Sequence, residues 1–139
     1  MKEKVLFFDI DGTLVDNSYG VQKVPEGVKR ELKRIQNDGH KLFICSGRPK
    51  AMINQQFLDL GFDGYVLYNG GYIEIEGKSI VEERMDTELA TQTVDMLEEL
   101  NCDYMIETAH HIYIDKCYKE LYTFFKNLGM EEMFSMNFD

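Results

Sequence analysis

The most distinctive feature of the sequence is a pair of aspartates, Asp9 and Asp11, separated by one residue. They follow a short apolar run, Val5 to Phe8, which is typical of a strand buried on both faces of a parallel sheet. Ligands of open α/β sheets bind at the carboxyl ends of the strands, so both carboxylates are expected to face one pocket there. Gly12 permits a tight loop after them. Such carboxylates can attack an electrophile, transfer a proton or bind a metal ion, although Asp, Gly and Thr in this order also form ordinary turns.

Two further apolar runs and two helical patterns would position these residues. The runs, Lys41 to Cys45 and Tyr65 to Tyr68, are typical of buried strands. Each helical pattern begins at a proline and stops at a glycine, the first from Pro25 to Gly39 and the second from Pro49 to Gly61. The order strand, helix, strand, helix, strand predicts an α/β fold with a doubly wound, Rossmann-like parallel sheet.

After the third run the pattern predicts a hairpin and then a small α+β unit. The hairpin occupies residues 72–83, with its turn at Glu76-Gly77-Lys78. From Arg84 we expect a helix capped by Asp86 or Thr87, two short strands and a second helix. The chain is therefore divided into a core portion, residues 1–83, and a partial α+β unit, residues 84–139. The expected elements of this unit are 87–100, Asp103 to Glu107, Ile112 to Asp115 and Leu121 to Leu128 with a stop at Gly129, and its core would contain Tyr118, Tyr122, Phe124 and Phe125.

Charge and cysteine usage exclude several classes of protein. The net charge of -10 argues against nucleic acid as the main partner, because phosphate backbones are bound by clustered lysine and arginine. The cysteines Cys45, Cys102 and Cys117 form no CxxC or Cys/His pattern, so neither a zinc site nor a disulfide framework is expected. Cys45 is expected to pack inside its strand. No stretch has the length of a membrane span or the pattern of a signal peptide, which favours a cytoplasmic protein with no membrane partner.

The string DIDGTLVD, residues 9–16, carries a specific resemblance. It resembles the first motif of the haloacid dehalogenase superfamily, and Ser46-Gly47-Arg48-Pro49 resembles the second. Tyr68-Asn69-Gly70-Gly71 followed by a hairpin is similar to the Cof-type branch, whose members insert an α/β cap at this point. The resemblance covers essentially the whole chain. It implies the N-terminal portion of a phosphatase, with an incomplete Rossmann-like core and part of an α+β cap domain.

The resemblance also implies a role for each candidate site residue. Asp9 would be the nucleophile that forms an aspartyl phosphate, and Asp11 would be the general acid and base. Both would bind Mg²⁺, Asp11 through its backbone carbonyl. Ser46 would hold a phosphate oxygen, and it could also cap the helix after Pro49. The remaining roles are phosphate binding by Thr13 and Gly47, contact with either the substrate or a neighbouring acid by Arg48, and a turn or hinge at Asn69.

Charge alone requires a cation at such a site. A phosphate monoester carries about two negative charges and Asp9 carries one. At ~4 Å and an effective dielectric of ~20, each pair of unit charges opposes the approach by roughly 4 kcal/mol. Mg²⁺ prefers oxygen ligands and bridges phosphate oxygens, so it suits this site. The expected substrate is a small phosphorylated metabolite, such as a sugar phosphate or a phosphorylated cofactor.

The superfamily also uses groups for which this sequence has no matching pattern. One is a later Lys or Arg, and the other is an acidic pair, typically GDxxxD. We therefore expect a fragment or truncated gene product that is a very poor phosphatase alone. The alternative is a catalytically incomplete domain that binds phosphate or associates with another polypeptide. A signalling receiver domain is set aside, because its phosphate-accepting Asp follows the third strand, where this chain has Asn69.

The resemblance has a consequence for assembly. In the superfamily's sheet the strand ending at Asp9 is central, and the strands on its other side come from sequence beyond the cap. Val5 to Phe8 would then form an apolar edge with unpaired backbone groups. We expect self-association through this edge, exchange of elements between copies, or partial order.

Overall fold

The structure, a computed structural model, describes residues 2–108, 111–114, 119–127 and 134–135. The chain divides into two compact units, residues 1–82 and 83–139. This division does not decide whether residues 84–139 are part of a cap domain, which stays a prediction. The strands and α-helices are β1 (Val5–Phe8), α1 (Glu26–Asn37), β2 (Lys41–Cys45), α2 (Gln55–Leu58), β3 (Gly64–Leu67), β4 (Tyr72–Ile75), β5 (Lys78–Glu82), α3 (Thr87–Glu99), β6 (Met105–Glu107), β7 (Ile112–Ile114), α4 (Lys119–Asn127) and β8 (Phe134–Ser135).

The first unit contains a five-stranded sheet in the order β1-β2-β3-β4-β5. β1, β2 and β3 are parallel, with Phe7 opposite Phe43 and Ile44 opposite Tyr65. β4 and β5 are antiparallel and extend the sheet beyond β3. The predicted α/β class with a parallel, Rossmann-like start is therefore confirmed, and the hairpin makes the complete sheet mixed.

One face of this sheet carries the core. Leu6 and Phe8 of β1 pack against a cluster that includes the fully buried Leu42 and Ile44 of β2. Helix α1 contributes to the same cluster through Val28, Leu32 and Ile35, the residues that its helical spacing predicted to share a face. These contacts hold the carboxyl ends of β1 and β2 side by side.

The prediction that β1 is buried on both faces is wrong. Val5 is 54% exposed and Phe7 is 59% exposed, whereas Leu6 and Phe8 are partly buried. Side chains alternate across a strand, and the core cluster lies on only one face of β1. On the opposite face Phe7 contacts the ring of Phe43, with ring centroids 5.4 Å apart.

The second predicted helix, from Pro49 to Gly61, is broken into two short pieces. A 3₁₀ turn covers Lys50–Met52, and α2 begins only at Gln55. Between them Ile53 has an extended backbone, with φ -88° and ψ 92°. Met52 and Ile53 are both buried, so the broken segment still packs into the interior. The helical pattern in the sequence is therefore interrupted at Ile53.

Backbone conformation ends the third strand earlier than predicted. Tyr68, which we expected in the strand, and Asn69 have φ values of 52° and 54°. Both residues lie in a 3₁₀ turn, Tyr68–Gly70, that reverses the chain into β4. The turn of the following hairpin matches the prediction, because Glu76 and Gly77 both have positive φ, as tight two-residue hairpin turns require.

The second unit contains α3, α4 and a small three-stranded sheet. Asp86 caps α3 as predicted, accepting hydrogen bonds from the backbone N–H groups of Glu88 and Leu89. β6 and β7 are antiparallel, and β8, which the sequence did not predict, pairs in parallel with β7. Phe124, expected in the core, is exposed on α4. Four predictions, at Asp115, Tyr118, Leu128 and Gly129, and the side chain of Phe125 lie outside the described residues.

Across the ranges that the structure covers, no helix combines the length and the apolar character needed to cross a bilayer.

Candidate active site

The loop after β1 presents its two carboxylates to solvent. Asp9 and Asp11 are exposed, whereas Ile10 between them is fully buried. The Ile10 carbonyl accepts hydrogen bonds from the backbone N–H groups of Thr13, Leu14 and Val15, at 3.3, 3.0 and 3.0 Å. The buried side chain and these bonds fix the backbone, so the acidic side chains are directed outward at the carboxyl end of the strand.

Gly12 makes the turn of this loop. Its φ is +81°, in the left-handed region that favours glycine, and its N–H donates to the Val15 carbonyl at 2.7 Å. The loop then continues into a pair of backbone hydrogen bonds between Asp16 and Val21, each 2.8 Å long. The sequence predicted both the tight loop and the glycine that permits it.

The segment after β2, which begins at Ser46, has buried and hydrogen-bonded polar groups. Ser46 is buried, and its backbone N–H donates to the Val66 carbonyl at 2.9 Å. Its hydroxyl oxygen accepts the backbone N–H of Arg48 at 3.2 Å, which leaves the hydroxyl hydrogen to point toward another acceptor. Gly47 lies close to Asn69, and a Cβ at position 47 would come 3.2 Å from the Asn69 Oδ1. The ends of β2 and β3 therefore meet at the same edge.

A two-pronged ion pair joins the two loops. Arg48 donates from Nε to Oδ2 of Asp11 at 2.7 Å and from Nη2 to Oδ1 at 2.6 Å. The sequence left open whether Arg48 would contact the substrate or a neighbouring acid. The structure brings Arg48 to the acid Asp11.

Arg48 is also held from its other side. Its Nη1 donates to the Met52 carbonyl at 3.4 Å, and its Cζ lies 5.7 Å from the centroid of the Phe57 ring. Phe57 is fully buried. The broken second helix is what places both groups beneath the guanidinium.

A cluster of three residues next to Arg48 was missed by sequence reasoning. Lys50 donates to the Tyr72 hydroxyl at 2.8 Å and forms an ion pair with Glu74, and the Tyr72 hydroxyl donates to Glu74 at 2.7 Å. Burial raises the pKa of Glu74, but the bonds from Lys50 and Tyr72 outweigh it and hold the pKa below its usual value. The spacing of Tyr72 and Glu74, two apart on one strand face, was the available signal.

Asp9 and Thr13 remain open. Within the described part of the chain, the side chain of neither residue forms a hydrogen bond or ion pair, and the Asp11 carbonyl accepts no backbone hydrogen bond. The same ranges contain no group of three Asp, Glu, His or Cys residues that could hold a metal ion. The Asp9 carboxylate and the Asp11 carbonyl are therefore unengaged oxygen donors, of the kind that Mg²⁺ prefers.

Two further observations concern neighbouring surfaces. Cys45 is exposed, so the prediction that it packs inside its strand is wrong, because it lies on the uncovered face of the sheet. A polar cavity near Gln36, His40 and Asp63 lies at the amino end of β2, whereas the site residues follow its carboxyl end. The cavity therefore does not belong to the site.

Comparison with protein families gives one match that spans most of the chain. The model for haloacid dehalogenase-like hydrolases matches residues 6–137. Among curated proteins of Bacillus subtilis (strain 168), YkrA is 34% identical over 80 residues, which are 58% of this chain and 30% of YkrA. The phosphatase YwpJ is 28% identical over 120 residues, which are 85% of this chain and 41% of YwpJ.

Solved structures share the fold. The HAD subclass IIB sugar phosphatase BT4131 matches with a TM-score of 0.74 at 28% identity, covering 92% of this chain and 50% of that protein. A protein from Geobacillus kaustophilus HTA426 matches with a TM-score of 0.83 at 21% identity, over 98% of this chain and 52% of its own, which shows the fold alone. The chain thus spans about half the length of these structures and less than half of the two curated relatives.

Proposed function

The chain belongs to the haloacid dehalogenase-like hydrolase family, and from that premise we propose that it forms the N-terminal part of a Mg²⁺-dependent phosphatase of the Cof type. The reaction is hydrolysis of small phosphate monoesters through a phosphorylated aspartate. The observation that carries the proposal is the Asp9 carboxylate, which is exposed at the carboxyl end of β1 and makes no ion pair with any described residue. A carboxylate without a protein partner is free to act as a nucleophile.

Asp9 attacks the phosphorus, and the bond from phosphorus to the ester oxygen breaks as the new bond forms. Asp11 delivers a proton to the departing oxygen and afterwards takes one from the water that hydrolyses the phosphorylated aspartate. The Ser46 hydroxyl, whose oxygen is engaged by the Arg48 N–H, donates its hydrogen to a phosphate oxygen. Thr13 binds the phosphate through its hydroxyl or backbone N–H, and Gly47 lets the backbone approach the phosphate closely.

The negative charge of the substrate must be balanced by a cation, and the arginine of these loops already bonds other groups. Arg48 directs two N–H donors to Asp11 and a third to Met52. Asp9 and the Asp11 carbonyl would hold Mg²⁺, which prefers such oxygen donors. When bound, Mg²⁺ lowers the repulsion between Asp9 and the phosphate. We propose that groups outside these 139 residues complete the site, and that residues 84–139 form part of a cap that covers it.

The test is Mg²⁺-dependent hydrolysis of 4-nitrophenyl phosphate by the full-length protein that carries this chain. Asp9→Asn should lower turnover at least about 10³-fold, because it removes the nucleophile. Asp38→Asn, at the end of α1, is the matched control and should leave turnover unchanged. The 139-residue chain alone should be about 10²-fold or more slower. Near-normal turnover by Asp9→Asn would overturn the assignment.

A second candidate function, association with another copy of the chain, is supported by the edge of the sheet. β1 pairs only with β2 in the part of the chain that the structure describes, and its Val5 and Phe7 side chains are exposed. We propose that this edge, residues 5–8, mediates self-association of the 139-residue chain. Light scattering at micromolar concentration should detect species larger than a monomer, and Phe7→Lys should reduce them. A monomer with strongly protected amides at residues 5–8 would contradict the proposal.

A further inference from the structure

The ion pair between Arg48 and Asp11 is unequal in how its two members are held. The Arg48 side chain is 10% exposed and the Asp11 side chain is 53% exposed. Behind the guanidinium lie the buried Phe57 ring and the Met52 carbonyl, and neither contact involves Asp11. The arginine would therefore keep its place without the aspartate, whereas the aspartate depends on the arginine for its orientation.

The backbone that carries Arg48 is fixed as well. Its N–H is bonded to the Ser46 hydroxyl, and its carbonyl accepts the backbone N–H of Tyr68 at 3.3 Å. Two residues further on, Lys50 is tied to Tyr72 and Glu74 of β4. The first bond lies within the segment after β2, and the others join that segment to the turn after β3 and to β4. The backbone at Arg48 is therefore held by contacts on both sides in sequence.

We propose that Arg48 is the positioning residue for Asp11 and not a ligand for the substrate phosphate. The fork of the guanidinium takes one lone pair from each carboxylate oxygen, and each oxygen retains another. Asp11 is held in one orientation and can still exchange a proton through the remaining lone pairs. The acid and base role of Asp11 rests on the proposed function, whereas the pair itself does not.

A phosphate ligand would need a different arrangement. Arginine binds phosphate with the same two parallel N–H groups that Asp11 occupies here. A phosphate bound by this pair of N–H groups would have to displace Asp11, and one titration tests for that displacement.

The test on the 139-residue chain is nuclear magnetic resonance of the arginine Nε–H groups. Arg34 is the matched control, since its Nε also bonds a carboxylate, Glu31 Oε2 at 2.8 Å, but on the exposed surface of α1. The Arg48 Nε–H should exchange with water at least about tenfold more slowly than that of Arg34. Asp11→Asn should shift the Arg48 signal and leave the Arg34 signal in place. In the full-length protein, inorganic phosphate with Mg²⁺ should not move the Arg48 signal.

Kinetics of the full-length protein supply the second readout. Arg48→Gln should lower kcat for an alkyl phosphate about 10²-fold, because a misplaced acid cannot protonate the departing oxygen, and should change KM less than about twofold. The loss should be smaller for 4-nitrophenyl phosphate, whose leaving group needs less protonation. Arg48→Lys should restore only part of kcat, since lysine has the charge without the fork.

The outcomes distinguish the two proposals. A shift of the Arg48 signal that saturates with phosphate, or a KM increase of about tenfold with kcat retained, would make Arg48 a phosphate ligand and overturn the inference. If the Arg48 Nε–H exchanged as fast as that of Arg34, the ion pair between Arg48 and Asp11 would be disproved, independently of the enzyme's activity. No Mg²⁺-dependent turnover with an intact pair would instead overturn the proposed function, and with it the role given to Asp11.

Discussion

The two loops at the carboxyl edge of the sheet are built in opposite ways. In residues 9–16 Asp9 and Asp11 are exposed, and buried apolar residues such as Ile10 hold the backbone. In residues 46–52 the polar side chains themselves are buried or packed, as Ser46 and Arg48 show. The first loop presents two carboxylates to solvent, and the second holds its polar side chains in place. Substitutions of exposed side chains in the first should change activity before stability, and substitutions beneath the second should change stability first.

The largest expected effect on stability is in the support of the second loop. Phe57→Ala should lower the free energy of unfolding by about 3–5 kcal/mol, because it opens a cavity under Arg48 and in the core cluster. Leu58→Ala is the matched control, since Leu58 is the neighbouring residue on α2 and is exposed. Its effect should stay within about 0.5 kcal/mol. Urea unfolding measures both, and equal losses would show that the second loop has no such anchor.

A smaller effect is expected at the turn of the first loop. Gly12→Ala places a Cβ on a residue with φ +81°, which should cost about 1–2 kcal/mol although the added atom meets nothing within 4 Å. Gly27→Ala, in the first turn of α1, has ordinary φ and should be neutral or stabilising. If Gly12→Ala proved neutral in thermal unfolding, the left-handed turn would not be what fixes this loop.

The smallest expected effect is the pH dependence of the Lys50–Glu74 pair. The pKa of Glu74 lies below its usual 4.5 in the folded chain, so its ion pair stabilises above that pH and is lost as the pH falls through the lowered pKa. Burial lowers the pKa of Lys50, but its bonds to Glu74 and Tyr72 outweigh burial and raise that pKa above 10.5. The ion pair is therefore lost at high pH only above that value. Glu74→Gln should lower unfolding free energy by about 1 kcal/mol at neutral pH.

The measurement is the difference in unfolding free energy between wild type and Glu74→Gln at several pH values. The difference should be constant through the neutral range and should shrink below pH 4.5. A difference that grew on acidification would mean that the sign of the Glu74 shift is wrong. The control is Glu83→Gln, since Glu83 is an exposed residue just after the hairpin.

Elements with strong local signals were predictable from sequence. Helix α1 lies between Pro25 and Gly39, and the hairpin turn has glycine at the position that needs positive φ. The broken second helix was not predictable, because no proline or glycine marks the break at Ile53. β8 was missed because it is only two residues long and is defined by pairing with β7.

The candidate site shows the same limit. The residue types after β1 and β2 pointed to the carboxyl edge of the sheet, where the structure brings Asp11 and Arg48 together, since strand ends are local features. The partner of Arg48 was not predictable, because Asp11 is 37 positions away and the substrate was an equal candidate. The Lys50, Tyr72 and Glu74 cluster likewise needs the register of β4 beside β3, which no local pattern specifies.

The order of the strands has a consequence for synthesis of the chain. In the five-stranded sheet each strand lies beside the one that precedes it in sequence, from β1 to β5. Because the chain leaves the ribosome amino terminus first, each new strand can pair with a strand that has already been synthesised. No strand has to be inserted between two that are already paired, so residues 5–82 can fold by successive addition while later residues are still being translated.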